Sequence, residues 1–152
     1  MPMLAINKKA NFDYELLEKY EAGLVLFGEE VKAVRERQIR LEGSYISPRT
    51  KSGKTEFYLI GCQISPYKKA GTLPDYNPYR ERKLLLNKEE ISRLIGKKQV
   101  EGLTLVPLKI YTNHSFLKLE FALAKGKKKY DKRETIKKRD VERNLRSLTK
   151  RR

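Results

Sequence analysis

Hydrophobic and polar positions alternate along much of this chain, the two-residue rhythm of strands that bury one face. Phe12, Tyr14 and Leu16 alternate, the phase slips at Leu17, and Tyr20, Ala22, Leu24 and Leu26 take it up again. One slip inside a long alternating run predicts a strand over residues 11–27 that carries a β-bulge. A helix over residues 14–21 competes, because Glu, Leu and Lys favour helix. Gly23 and the run Leu24-Val25-Leu26-Phe27 favour the strand. After Gly28, residues 29–37 read as a short helix with Val31 and Val34 three apart.

Residues 44–48 and 56–64 are two further strands around Lys51-Ser52-Gly53-Lys54, which suits a hairpin turn. Residues 65–80 hold Pro66, Gly71, Pro74 and Pro78 among Tyr67, Tyr76 and Tyr79, and read as a long irregular loop. Lys83 to Leu86 is a short extended run. The next segment, 87–98, is the strongest helix: Asn87 can cap it, Glu90 stands three residues on, and Ile91, Leu94 and Ile95 form its apolar stripe. Gly96 and the lysines after it end that helix. Two long strands, 103–111 and 116–124, are joined by a turn at 112–115. The sum is mainly β: an OB-like antiparallel barrel of about six strands with short capping helices.

Charge divides this picture. The chain has 152 residues and a net charge of +16, and +10 of it lies from Lys125 onward. The apolar run Phe116 to Ala124 passes at once into Gly126-Lys127-Lys128-Lys129. The expected organisation is therefore a barrel over 1–125 and a basic tail over 126–152. A cationic arm on a milder body points to a polyanion. Val141, Leu145 and Leu148 follow helical spacing, but that stripe is too thin to hold a helix in water. The tail is expected to be disordered when free and to become helical on a nucleic acid.

Catalytic chemistry finds little footing. His114, the sole histidine, falls in the 112–115 turn, and no phosphate loop, nucleophile–base set or Cys/His cluster can be assembled. Cys62 stands alone in an apolar run, so it reads as a small buried residue in a reducing cytoplasm. No apolar run reaches membrane-spanning length, and the first residues do not make a signal peptide. Nucleic-acid binding has better support. Lys8 and Lys9 follow Asn7, and Arg80, Arg82 and Lys83 follow the tyrosines of the long loop, so cations interleave with rings able to stack on bases. Those tyrosines serve equally well to pack the loop onto the barrel.

Blocks of residues in order carry a resemblance. They include Asn7-Lys8-Lys9-Ala10, Glu21-Ala22-Gly23-Leu24-Val25-Leu26, Gly28-Glu29-Glu30-Val31-Lys32, Arg82-Lys83-Leu84-Leu85-Leu86, Gly102 to Leu108, Ala124 to Lys128 and Tyr130-Asp131-Lys132-Arg133. Nearly end to end, the chain resembles small protein B, the bacterial tmRNA-binding family of trans-translation. The resemblance implies a non-enzymatic adaptor without a cofactor. Such an adaptor binds the tRNA-like domain of tmRNA and delivers it to stalled ribosomes, standing in for the missing anticodon arm. The implied partners are tmRNA, the small-subunit decoding centre and mRNA channel, and elongation factor Tu indirectly through alanyl-tmRNA; no membrane is involved. The resemblance carries tmRNA binding onto Asn7, Lys8, Glu21, Lys32 and Leu85, and the basic clusters add Lys9, Arg82 and Lys83 as candidate tmRNA-binding positions. Gly126 is the implied hinge. Lys127, Lys128, Tyr130, Asp131, Lys132, Arg133, Lys137, Lys138 and Arg139 fall on the decoding-centre tail. Some members carry His where this chain has Tyr130; either ring can stack on a base.

Two readings from other classes compete: a general single-strand RNA binder or ribosomal protein with a basic extension, and a small nuclease. All RNA-binding readings share one outcome. Affinity for RNA, measured by filter binding, should drop by orders of magnitude between about 50 and 200 mM salt as counterion release loses its drive. A flat salt response would contradict phosphate recognition.

Overall fold

A computed structural model of the chain describes residues 3–68, 71, 75–99, 102–127 and 143. Among the described residues, nine strands and three helices follow in chain order: β1 (Met3–Ile6), α1 (Ala10–Asp13), β2 (Tyr14–Leu24), α2 (Gly28–Arg35), β3 (Ile39–Arg40), β4 (Tyr45–Lys51), β5 (Lys54–Ile60), β6 (Gln63–Ile64), β7 (Arg82–Leu85), α3 (Lys88–Lys98), β8 (Leu103–Asn113) and β9 (Phe116–Gly126). The main sheet runs β1-β8-β4-β5-β7-β2-β9, and β9 pairs back onto β8. Six strands therefore close a ring, the strand pairings among the described residues are antiparallel, and β1 lies along β8 beside it. That closed ring bears out the expected fold class. The short pair β3–β6 forms a second sheet.

The phase slip at Leu17 is a bulge. Leu16 faces Ala124 and Glu18 faces Leu123, so Leu17 is the extra residue, and it is exposed. The helix that competed for residues 14–21 does not form. Packing the alternating face on β9 outweighs the local helix preference of Glu, Leu and Lys. The strand begins later than expected, because residues 10–13 make one helical turn instead. The β4–β5 turn has Ser52 and Gly53 both at positive φ, 53° and 75°, as the twist of a two-residue hairpin requires. Helix α3 starts on a full capping box: the Glu90 amide donates to the Asn87 side chain and the Asn87 amide to the Glu90 carboxylate. It runs through Gly96 to Lys98, so that glycine lies inside its last turn.

The inward faces of the ring build the core from Ile46, Phe57, Leu59, Leu84, Leu105 and Phe121. Helix α2 contributes Ala33 and Val34 to this core, and α3 contributes Leu94. Cys62 is also fully buried, as expected, and burial pushes its thiol up to about 12. The thiolate is then scarce near neutrality.

Arg82 departs from expectation. It is fully buried rather than on an RNA-binding surface, because β7 alternates and Arg82 shares the inward face with Leu84. Its Nε donates to the buried Glu30 carboxylate at 2.8 Å, and its Nη1 donates to the carbonyls of Cys62 and Pro78 at 2.7 and 3.0 Å. Glu30 also accepts from the Phe27 amide at 2.9 Å and from Arg80. The Arg82–Glu30 pair thus joins the start of α2, the link after β5, the end of the long loop and β7.

Burial alone would raise the carboxyl pKa of Glu30. Arg80, the Phe27 amide and Arg82 outweigh burial and hold it below its ordinary value. A carboxyl depressed on folding stabilises the fold above its unfolded pKa, and that contribution is lost as the pH falls through the folded one. Glu30→Ala strands a buried guanidinium and should cost about 3–5 kcal/mol in urea unfolding at neutral pH. It should also flatten the acid limb of the stability profile. A loss under about 1 kcal/mol would contradict the buried pair.

Candidate nucleic-acid interface

The outward faces of β7, β2, β9 and β8 form one surface. Leu85 lies opposite Gly23, Gly23 opposite Lys118, and Glu21 opposite Glu120, which in turn faces Lys109. Alternation puts Lys83 beside Leu85 on this face and sends Arg82 and Leu84 inward. Leu85 is 56% exposed on this face. Gly23 makes room for it: a Cβ there would stand 3.3 Å from Leu85 Cδ1. The absence of a side chain at position 23 lets Leu85 lie flat across β2.

Glu21 does not point freely into solvent. The Tyr111 hydroxyl of β8 donates to its carboxylate. Glu120 beside it pairs with Lys109 at 3.1 Å and with Lys19 at 3.8 Å. Lys109 also sits over the Tyr111 ring, 5.9 Å from its centroid. Sequence reasoning found Glu21 and missed Tyr111, Lys109 and Glu120. They lie on the two long strands, Tyr111 buried and Lys109 and Glu120 partly exposed, and only the strand register sets them beside Glu21. Lys83 is partly exposed and shares Glu56 with Lys54, at 3.6 and 3.5 Å.

Asn7, Lys8 and Lys9 form a separate group between β1 and α1, beyond the opposite edge of β8. Proline at 107 lacks an amide, and the β8–β9 register shifts between Pro107 and Lys109. That bulge turns carbonyls toward Asn7: its Nδ2 donates to Pro107 at 2.9 Å and its amide to Leu108 at 2.7 Å. Lys8 and Lys9 are exposed, and Asn7 and Lys9 line a cavity of about 480 Å³ with Asp13, Tyr14 and Ser44. Lys32 stands on α2 with its ammonium 5.6 Å from the Tyr67 ring centroid.

The tyrosines of the long loop divide in role. Tyr67 packs on the core and the Tyr76 hydroxyl donates to the Ile64 carbonyl at 2.6 Å, whereas Tyr79 is exposed. Gly126, expected as a hinge, is the last residue of β9, is paired with Tyr14, and does not adopt positive φ. The Lys127 amide still donates to Asp13 and its ammonium to the Asn11 carbonyl. The body therefore holds the chain two residues beyond the expected boundary. Lys128, Tyr130, Asp131, Lys132, Arg133, Lys137, Lys138 and Arg139 lie outside the described residues.

Among the described residues, no group of three or more metal-type side chains comes together, and no helix is long and apolar enough to cross a membrane. Comparison with known proteins then decides the family. The SmpB protein family model matches residues 4–151. The chain belongs to the SmpB family. A relative named SsrA-binding protein from Thermosipho africanus is 49% identical over 152 residues, covering 99% of each chain. Another of that name, from Syntrophobacter fumaroxidans, is 50% identical over 150 residues, covering 99% of this chain and 90% of that protein. A solved structure described as "tmRNA-SmpB: a journey to the center of the bacterial ribosome" is similar with a TM-score of 0.67 and 43% identity. The match spans 89% of this chain and 95% of that one. These relatives are named for binding SsrA, not for a reaction.

The bond from Tyr111 to Glu21 sets the geometry of the surface and can be measured. A double-mutant cycle of Tyr111→Phe and Glu21→Gln, read by urea unfolding, should give a coupling of about 1.5–3 kcal/mol, the scale of a hydrogen bond to a charged group. Zero coupling would place the two side chains apart in solution.

Proposed function

We propose that this chain binds the tRNA-like domain of tmRNA and delivers it to stalled ribosomes in trans-translation. The observation that carries this reading is the full-length match to SsrA-binding proteins together with an outward face built for RNA. On that face an exposed Leu85 over Gly23 offers apolar contact to a base. Glu21, held by Tyr111, presents a carboxylate that can accept from base amino groups. Lys83 and Lys118 flank them and supply cations for phosphates. Asn7, Lys8, Lys9 and Lys32 add polar and cationic contacts from the neighbouring surfaces. The protein supplies binding and orientation and catalyses no bond change.

The finer division of labour belongs to the same proposal. The body, residues 1–127, recognises tmRNA and takes the place of the anticodon arm. The tail, with Tyr130, Asp131, Lys132, Arg133, Lys137, Lys138 and Arg139, enters the decoding centre and mRNA channel and folds there as a helix when ribosomal phosphates neutralise it. Elongation factor Tu joins through the alanyl-tmRNA, and the setting is the bacterial cytoplasm.

Two measurements separate these roles. In gel-shift titrations Glu21→Ala or Leu85→Ala should weaken tmRNA binding by about 1–3 kcal/mol each. A chain ended after Lys127 should bind tmRNA as the full chain does, yet fail to support peptide tagging on stalled ribosomes. Lost tmRNA affinity on truncation would overturn the division of labour. Normal binding by both alanine variants would move the recognition surface elsewhere.

A further inference from the structure

Phe116 is the most exposed of the large hydrophobic side chains described, at 69%, and nothing in the core requires it there. It opens β9 and forms the last ladder pair of the β8–β9 hairpin with Asn113. The hairpin tip is firmly held. His114 turns the chain at φ 57°, and the Arg35 guanidinium at the end of α2 donates to the Ser115 carbonyl at 3.2 Å. The backbone that carries this exposed ring is thus tied to the body, which limits the backbone entropy lost on binding a partner.

Its position is informative. Phe116, Lys118 and Glu120 alternate onto the outward face of β9, the face that carries Lys118 opposite Gly23. The same register continued two residues past Gly23 and Lys118 sets Val25 level with Phe116. Val25 is 42% exposed, while Leu24 and Leu26 on either side of it pack on the core. The Val25 amide donates to the Lys83 carbonyl at 3.0 Å, which ties it to β7. Leu85, Val25 and Phe116 therefore continue one exposed apolar strip, with Lys83 and Lys118 on the same face and Arg35 at its end. An apolar and aromatic strip interleaved with cations on a chain of net charge +16 matches unstacked bases on a phosphate backbone.

We propose that Phe116, supported by Val25, is a stacking platform for an unpaired nucleobase of the same RNA that Glu21 and Leu85 engage, and that Lys118 and Arg35 meet the adjoining phosphates. The recognition surface then extends from the middle of β2 to the tip of the β8–β9 hairpin. This inference rests on the assignment of the outward face to the tRNA-like domain.

The chain has no tryptophan, so Phe116→Trp gives a single reporter at the site. Titrated with tmRNA, the Phe116→Trp protein should bind within about twofold of the unchanged chain, with its fluorescence quenched as a base stacks on the indole. Phe116→Ala, at a position too exposed to disturb folding, should bind about tenfold more weakly. Leu85→Ala is titrated alongside. If Leu85→Ala weakens binding while Phe116→Ala does not and the Trp signal stays flat, the platform is refuted and the surface assignment stands. If none of the three responds, the surface assignment itself fails. Unchanged tmRNA affinity with lost tagging for Phe116→Ala would overturn the proposal in favour of a ribosomal protein contact.

Discussion

A guanidinium shut away from water must be met by acceptors at fixed places, and Arg82 imposes that constraint on this protein. Its partners come from three separate segments: Glu30 at the start of α2, Cys62 after β5 and Pro78 at the end of the long loop. None of these packs through apolar contact alone. Glu30 is itself buried, so helix and strand each supply the charge that makes the other tolerable. The consequence for function is indirect but firm. Because Arg82 points inward, β7 is locked in phase, and Lys83 and Leu85 are presented outward. A one-residue slip of β7 would bury both and expose the guanidinium.

Two bulges set the remaining geometry. The extra residue at Leu17 lets β2 run the length of β9 without leaving its inward face. The break at Pro107 lets β8 carry Lys109 and Tyr111 outward while its carbonyls take hold of Asn7. Both irregularities lie on the long strands that bring Glu21, Lys118, Glu120 and Tyr111 together. The surface read as an RNA platform thus depends on where the ladder is interrupted as much as on where it is regular.

Much of the fold was legible from alternation. The bulge in β2, the hairpin at Ser52-Gly53, the capped helix after Asn87 and the long β8–β9 hairpin all follow from local pattern and turn chemistry. The one-turn helix α1 was not legible, since four residues carry no periodicity. The inward direction of Arg82 was not legible either. Its type argued for the surface, and only the β7 pairing with β5 and β2 shows which face is buried. Glu21 and Leu85 were accessible through the family resemblance. Tyr111 and Phe116 were not, because their value comes from neighbours roughly 90 positions away in the chain. Gly126 shows the opposite failure: the glycine reads as a hinge, yet backbone pairing with Tyr14 holds it in the sheet.

The claim that one folded face selects one RNA is tested most directly by asking which RNA the full chain carries in cells. A tagged chain purified from bacterial lysate at moderate salt, with its bound RNA sequenced, should yield one dominant stable species with a tRNA-like end, the tmRNA. A broad mixture of ribosomal and messenger fragments in proportion to their abundance would contradict the account. It would leave the protein a basic RNA binder without a chosen partner.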